Sequence, residues 1–237
     1  MNVLFIGQKN YSSWSLRPWL LLKELGIQFE ERRVLVAGSG FNPGTHGSYS
    51  PSGVVPALHG PGDLRIWDSL SICEWAAEQA VPAPPSGARA WPADARARAV
   101  ARSLAAEMHS GFGAVRSAMP CNIKARLRKP LELDAATKGQ VLRLERAWGD
   151  ARREFGAGGD YLFGPFGAVD AFFAPVAFRF QTYGVELDDK EARAYVATLL
   201  ANPHMRLWAA QAIAETDAIK HYDDAALAVG AEFVNAT

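Results

Sequence analysis

Hydroxyl side chains cluster between the first predicted strand and the first predicted helix, at Ser12, Ser13 and Ser15. Backbone N–H groups at a helix start stabilise a nearby anion, and a hydroxyl there can donate a hydrogen bond to a thiolate and lower the thiol pKa. A serine at this position can therefore activate a bound thiol. Taken alone, the same serines are also typical N-cap and loop residues.

Two further groups could bind a peptide-like ligand. Pro56 stands where a strand should begin, and a proline there is typical of an edge or of a cis bond. A cis Val55-Pro56 bond would turn the backbone of Val55 outward, where it can pair with an extended peptide. Asp68 and Ser69 open a predicted helix whose N–H groups and hydroxyl can hold a carboxylate. The alternatives are an ordinary proline at a strand start and a simple helix cap.

Apolar spacing predicts the elements that position these groups. Residues 3–6 indicate a buried strand, and apolar residues at three- and four-residue spacing indicate a helix from Ser15 to a C-cap at Gly26, with Pro18 in its first turn. Residues 27–36 suggest a half-exposed strand, and residues 37–52 an irregular connection with little helix. Residues 54–58 and 64–67 indicate a hairpin, followed by the helix from Asp68.

The second half of the chain has a helical pattern throughout. Residues 81–92 are rich in proline, which is typical of a linker between domains. No strand-like alternation follows this linker. The predicted helices are 93–116, 135–155, 170–183, 189–200 and 203–219.

Composition excludes several classes of partner. Lys plus Arg equals Asp plus Glu at 25 each, so no net field favours nucleic acid or an anionic membrane. The two cysteines, Cys73 and Cys121, are far apart, which argues against a zinc site or a dithiol centre and fits a reducing cytoplasm. No export signal or long apolar run is present, so we expect a cytoplasmic protein without metal.

The serine-rich turn, the Val55-Pro56 pair and the Asp68-Ser69 helix start together resemble the glutathione site of the glutathione transferase superfamily. The resemblance covers nearly the whole chain, because the linker and the helical half also look like that family. Residues 12–17, SSWSLR, are similar to the SSCSxR motif of zeta-class enzymes, which include maleylacetoacetate isomerases. The segments YSSWSLRPW and AEMHSGF, at 11–19 and 106–112, are similar to bacterial zeta-like transferases.

The resemblance implies the architecture and the partners. Residues 1–80 would form a thioredoxin-like α/β domain with the pattern βαβαββα, which binds glutathione as co-substrate. Residues 81–92 would be the linker. Residues 93–237 would form an all-α helical bundle that binds a small electrophile, and the protein would be a homodimer.

The resemblance also implies roles for single residues. Ser12 would be the catalytic serine that donates its hydroxyl to the glutathione sulfur, with Ser13 as the second candidate. Val55, before a cis Pro56, would pair with the cysteinyl backbone of glutathione. Asp68 and Ser69 would hold its γ-glutamyl end.

Two departures from the zeta pattern affect these expectations. Trp14 replaces the zeta cysteine, which weakens the case for isomerase activity, and Val54 stands where many relatives have Lys or Gln. Asp170 resembles the family's buried capping aspartate, although Gly167 stands where a hydroxyl residue usually caps.

The second substrate would lie between the first loop and the first long helix of the second half. The predicted wall residues are Tyr11, Trp14, His109, Phe112, Arg116 and Met119, with Arg179 as a further candidate. For His109 the alternative is a helix-face histidine bonded to a neighbour.

The implied activity is conjugation of glutathione to an electrophile. One alternative is a glutathione-dependent isomerase, whose dicarboxylate substrate would need arginines such as Arg116 or Arg179. The other alternative is a glutathione-binding protein with little turnover.

Overall fold

The computed structural model describes residues 1–35, 48–79, 84 and 86–234. Its first half contains four strands and two helices within the described residues. They are β1 (Asn2–Ile6), α1 (Ser13–Glu24), β2 (Phe29–Arg33), β3 (Ala57–His59), β4 (Arg65–Trp67) and α2 (Ser69–Glu78). The predicted strand end at Val36, most of the predicted irregular connection and the position of a second helix in the βαβαββα pattern lie outside the described residues.

The four strands form one mixed sheet in the order β2-β1-β3-β4. β1 pairs in parallel with β2 and antiparallel with β3, and the predicted hairpin is the antiparallel pair β3 and β4. β1 is central and its Leu4 and Ile6 are fully buried. This is the predicted thioredoxin-like arrangement. It places the C-terminal end of β1 beside the start of β3.

Helix α1 begins two residues earlier than the apolar pattern predicts. The Ser12 side chain accepts a hydrogen bond from the Ser15 N–H and caps the helix, so Pro18 lies in the second turn instead of the first. The helix ends as predicted near Gly26, whose φ of +71° favours glycine. The N–H of Ile27 then bonds to the Leu22 carbonyl, as in a Schellman motif.

The second half is helical, as predicted, with one small sheet. Its helices are α3 (Ala95–Ser110), α4 (Gly113–Ala118), α5 (Ala135–Phe155), α6 (Ala168–Tyr183), α7 (Lys190–Ala201), α8 (Pro203–Ala214) and α9 (Lys220–Ala228). Two strands, β5 (Ala125–Leu127) and β6 (Ala231–Phe233), pair antiparallel. The expectation that no strand occurs beyond the linker was therefore wrong.

Two of the predicted helices are divided or shortened in the structure. The helix predicted over residues 93–116 is divided into α3 and α4 by Gly111 and by Phe112, which has a left-handed φ of +58°. A Cβ on Gly111 would lie 2.7 Å from the Glu107 carbonyl oxygen, so glycine is required at this break. The helix predicted over residues 203–219 ends at Ala214, and α9 follows as a separate element.

Helix α6 is the centre of one continuous apolar core. Its side chains are buried along almost the whole length, and they pack with those of α1 in the same cluster as Leu4 and Trp208. The Asp170 carboxylate accepts the Gly167 N–H at 2.8 Å, which confirms the carboxylate half of the predicted capping box. No helix in the described part of the chain has the length and hydropathy needed to cross a bilayer.

Candidate active site

Ser12 lies at the start of α1 with its hydroxyl available to a ligand. The Ser12 and Ser15 hydroxyl oxygens are 2.7 Å apart, and the Ser15 oxygen accepts the Gly7 N–H at 3.1 Å. Ser15 is fully buried, so its proton needs an acceptor, and Ser12 Oγ provides one. The hydroxyl proton of half-buried Ser12 is thereby left free to be donated outward.

Ser13 points in a different direction. Its side chain is buried, and its hydroxyl oxygen accepts a hydrogen bond from Arg179 Nη2 at 3.3 Å. Ser13 therefore faces α6 of the helical half, whereas Ser12 faces the sheet. The sequence left the choice between these two serines open, and the structure places them in different surroundings.

Val55 and Ser12 both lie next to Gly7. A Cβ added to Gly7 would be 3.2 Å from Ser12 Cβ and 3.2 Å from Val55 Cγ2. Both side chains therefore pack closely against Gly7. The Val55-Pro56 peptide bond is cis. Within the described residues, neither the N–H nor the carbonyl of Val55 has a hydrogen-bond partner, which leaves both for an extended ligand.

Asp68 and Ser69 begin α2 as predicted. The Asp68 carboxylate caps the helix by accepting the Leu70 N–H at 2.8 Å, and Asp68 has a φ of +75°. Ser69 is fully buried, with its hydroxyl 3.5 Å from the Asp68 carboxylate. His109 of α3 approaches the same carboxylate at 3.7 Å, so the two halves of the chain meet here.

Three of the predicted wall residues lie together: Trp14, His109 and Arg116. The Trp14 ring is 37% exposed, the His109 ring lies edge-on at 5.4 Å, and the Arg116 guanidinium lies 4.8 Å from its centroid. The Arg17 guanidinium lies at 4.2 Å from the Trp14 ring and 4.9 Å from the Phe172 ring. Arg17 and Phe172 were not among the predicted wall residues.

Burial and like charge lower the proton affinity of these basic groups. Burial lowers the pKa of Arg17 to about 9, with the nearby Arg116 charge adding to the effect. Burial and the Arg179 charge lower the pKa of Arg116 to about 10. Burial also lowers the pKa of His109, partly offset by Asp68 and reinforced by Arg17.

Three predicted wall residues are in the interior instead of on an open wall. The Tyr11 hydroxyl donates to the Asp223 carboxylate at 2.9 Å, and its ring stacks on Tyr222 of α9. Phe112 is 7% exposed and Met119 is fully buried. Long-range packing with α9 and α6 determines the positions of these three residues. The spacing of residues along the local sequence does not reveal such packing.

No group of three or more His, Cys, Asp or Glu side chains within the described ranges could hold a metal ion. The groups that the structure brings together at this site are the Ser12 hydroxyl, two helix N-termini and several arginines.

Both halves of the chain match models of one protein family. Residues 11–79 match the N-terminal domain of glutathione S-transferases, and residues 134–202 match the C-terminal domain. The two matches together cover more than half of the sequence. The thioredoxin-like sheet followed by a helical half is the corresponding fold, and the chain belongs to the glutathione S-transferase superfamily. No curated protein matches the sequence.

Solved structures show the same fold at low sequence identity. A glutathione transferase homologue from Burkholderia GL BGR1, with bound glutathione, is 24% identical, with 89% of this chain and 97% of that chain covered and a TM-score of 0.64. A glutathione S-transferase from Rhodospirillum rubrum F11 is 21% identical, with coverages of 95% and 99% and a TM-score of 0.65. A Tau class enzyme from mango, Mangifera indica, is 16% identical, with coverages of 97% and 98% and a TM-score of 0.65.

Proposed function

We propose that this protein is a glutathione transferase that activates the glutathione thiol with the Ser12 hydroxyl. The observation that carries the proposal is the Gly7 N–H bond to Ser15 Oγ together with the 2.7 Å contact between the Ser15 and Ser12 hydroxyls; with Ser15 as the donor in that contact, the Ser12 proton is free. Glutathione seen in the Burkholderia relative supports the choice of ligand. The electrophile would lie on the helical side, near Trp14 and Arg116.

In the proposed mechanism Ser12 keeps its proton throughout. The thiol of bound glutathione loses its proton to solvent, and the thiolate accepts a hydrogen bond from Ser12 near the α1 N-terminus. These two effects lower a thiol pKa of about 8.5 by about one or two units. The thiolate then forms a bond to carbon and either displaces a leaving group, which departs with the bonding electrons, or adds to a double bond, whose other carbon takes a proton from solvent.

The rest of glutathione would be held by three residues in the first half. Val55 would pair with the cysteinyl backbone through its free N–H and carbonyl, in the manner of an added strand. Asp68 would bind the γ-glutamyl ammonium, and the α2 N-terminus with Ser69 would bind its carboxylate. Ser13 is the less suitable thiol donor because its side chain is buried against Arg179 of α6, whereas Ser12 is half-buried beside Gly7.

The domain bounds, the oligomeric state, the cellular location and the type of reaction are part of the same proposal. Domains of 1–80 and 93–237 would be joined by the linker at 81–92, which falls between the end of α2 and the start of α3. A homodimer would agree with the family. A cytoplasmic location would agree with the two buried, free cysteines. Trp14 in place of the zeta cysteine favours conjugation over the isomerase alternative.

Calorimetric titration with glutathione on the wild type, Ser12→Ala and Ser13→Ala tests the proposal, with thiolate absorbance followed against pH. We expect the wild type to bind glutathione and lower its thiol pKa. Ser12→Ala should still bind but raise the bound thiol pKa by about one unit, while Ser13→Ala should leave it lowered. Failure of the wild type to bind glutathione would overturn the proposal, and binding without turnover would favour the binding-protein alternative.

A further inference from the structure

The helical half contains a groove between α5, the segment that precedes α5 and the loop that follows α6. The groove has a volume of about 640 Å³, which is within the range of about 300–1,000 Å³ typical of small-molecule sites. Its lining residues lie within 130–145 and 184–188, so it shares none with the candidate active site. A molecule bound here would therefore contact residues that the proposed glutathione chemistry does not use.

Backbone hydrogen bonds hold the walls of the groove in place. The Leu131 N–H donates to the Tyr183 carbonyl at 2.9 Å, and the Val185 N–H donates to the Phe180 carbonyl at 3.0 Å. Both bonds join the lining segments to the end of α6, whose side chains are buried in the core. The groove is thus pre-formed, as most small-molecule sites are.

Apolar side chains cover part of the groove. Leu142 of α5 is 47% exposed. Leu131, Leu133 and Val185 from the other walls are half-buried and pack against the main core. Because removal of such apolar surface from water is favourable, the groove suits a ligand with an apolar group.

The polar side chains of the groove carry an excess of negative charge. Its acidic residues are Glu132, Glu145, Glu186 and Asp188, whereas Lys138 is basic. None of the four carboxylates forms an ion pair within the described part of the chain. The sequence outside that part contains no Lys or Arg. Negative charge beside apolar surface indicates a ligand that is cationic and partly apolar.

Glu145 can anchor such a cation. It is 7% exposed, and its Oε1 accepts the Asp189 N–H at 2.6 Å. This bond fixes the carboxylate, while Oε2 has no hydrogen-bond partner among the described residues. A buried carboxylate is unfavourable unless its charge is paired, and an ammonium would supply both the opposite charge and a strong hydrogen bond.

We propose that this groove binds a small amine whose ammonium pairs with Glu145 Oε2 and whose apolar body lies against Leu142 and Val185. A metal ion fits less well, because no group of three His, Cys, Asp or Glu side chains in the described ranges could hold one. This inference goes beyond the glutathione transferase proposal and does not depend on it, since the two sites share no residue.

Three probes of equal chain length test the inference by NMR titration of the full chain. Hexylamine, hexanol and hexanoate carry the same apolar body with a positive, a neutral and a negative end. We expect hexylamine to bind about tenfold or more tightly than hexanol, and hexanoate to bind more weakly than either. Raising the salt concentration should reduce the preference for the amine without changing hexanol binding. Equal affinities for hexylamine and hexanol would overturn the inference.

Variants then assign the preference to Glu145. Glu145→Gln keeps an Oε1 acceptor for the Asp189 N–H and removes the charge, so the amine-to-alcohol ratio should fall to about two or less. The matched control Glu78→Gln removes the same charge from an exposed position on α2 and should leave the ratio unchanged. Leu142→Ser should weaken binding of the amine and the alcohol alike, by about threefold. A folded Glu145→Gln variant with the wild-type ratio would contradict the proposed anchor.

Competition distinguishes this groove from the candidate active site. S-hexylglutathione would occupy both sides of the candidate active site, and hexylamine should bind the wild type with the same affinity in its presence. Displacement of hexylamine would place the amine at the candidate active site and overturn the inference, whether or not Glu145→Gln folds. If S-hexylglutathione itself does not bind, the transferase proposal fails, while the comparison of hexylamine with hexanol still decides the amine inference.

Discussion

Gly7 sets the distance between Ser12 and Val55. Its φ is not in the left-handed region, so the requirement for glycine is one of space and not of backbone conformation. An added methyl would contact the Ser12 Cβ and the Val55 Cγ2 at 3.2 Å each, and one of these side chains would have to move. Both belong to the proposed glutathione site, so this small change acts directly on the ligand.

We therefore expect Gly7→Ala to weaken glutathione binding by about tenfold, because overpacking of this kind costs about 1–3 kcal/mol. The control is Gly139→Ala on α5, where an added Cβ meets nothing within 4 Å. That variant should stabilise the fold by about 0.5–1 kcal/mol and leave glutathione affinity unchanged. Calorimetric titration and urea unfolding measure both, and equal affinities for the two variants would contradict the steric argument.

His109 should make stability depend on pH. Its pKa is lowered chiefly by burial, so the unfolded chain takes up a proton at a higher pH than the folded chain does. Stability contributed by the neutral imidazole is thus present above the unfolded pKa of about 6.5 and is lost as pH falls below it. We expect His109→Gln to lose less stability than the wild type between pH 7.5 and 5.5.

Urea unfolding at the two pH values checks this expectation, with His221→Gln as the control. His221 is exposed on α9, with its ring tilted against that of Tyr222, so this control should lose as much stability on acidification as the wild type. Equal losses in His109→Gln and His221→Gln would show that the imidazole of His109 is as easily protonated in the folded chain as in the unfolded one.

At the residue scale, the sequence predicted residues whose structural role as helix caps depends on local context. Ser12 and Asp68 each cap a helix that begins within a few residues, and the pattern of those helices is visible in the chain. Arg17 was missed as a pocket residue because its burial depends on Phe172, which is far away in sequence. The hydrogen bond of Tyr11 to Asp223 was not predicted for the same reason.

At the element scale, helix bounds were predicted best where both ends have local stop signals. Helix α5 has the predicted bounds of 135–155, because Asp134 caps its start and Gly156 follows its end. The small sheet of β5 and β6 could not be predicted, because each strand has only three residues and its partner lies about a hundred residues away. Pairing of this kind depends on the tertiary fold and not on local periodicity.

The start of α6 is held by the Asp170 carboxylate, which accepts hydrogen bonds from three donors. Asp170 accepts the N–H groups of Gly167 and Leu162 and the hydroxyl of Tyr195, all in the buried core. Asp170→Ala would leave these donors without a partner, so we expect a loss of roughly 4 kcal/mol in the free energy of unfolding.

Asp94→Ala is the matched comparison for Asp170→Ala. Asp94 caps α3 through a single bond from the Ala97 N–H at 2.8 Å, and its removal should cost only about 1 kcal/mol. Chemical denaturation of both variants measures the difference. Similar losses would mean that the α6 network contributes no more than an ordinary cap.

At the scale of the whole molecule, the C-terminal part of the chain holds the loop that precedes the proposed thiol site. The Trp208 indole N–H donates to the Lys9 carbonyl at 3.0 Å, and the Glu215 carboxylate accepts the N–H groups of Lys9 and Asn10 at 2.9 and 3.3 Å. Tyr11 is bonded to Asp223 of α9. The position of Ser12 is therefore determined by residues from the opposite end of the sequence.

We expect Glu215→Ala to loosen this loop more than it destabilises the protein. Two backbone N–H groups lose their acceptor, so hydrogen exchange should become faster across residues 8–13, and the bound glutathione thiol pKa should rise because Ser12 is less firmly placed. Glu232→Ala is the control, since Glu232 pairs with Arg128 on the exposed surface. It should change neither exchange in the loop nor the thiol pKa. If Glu215→Ala exchanges at the wild-type rate in residues 8–13, or if its faster exchange extends equally over β1 and α6, the loop is not held specifically by the C-terminal segment.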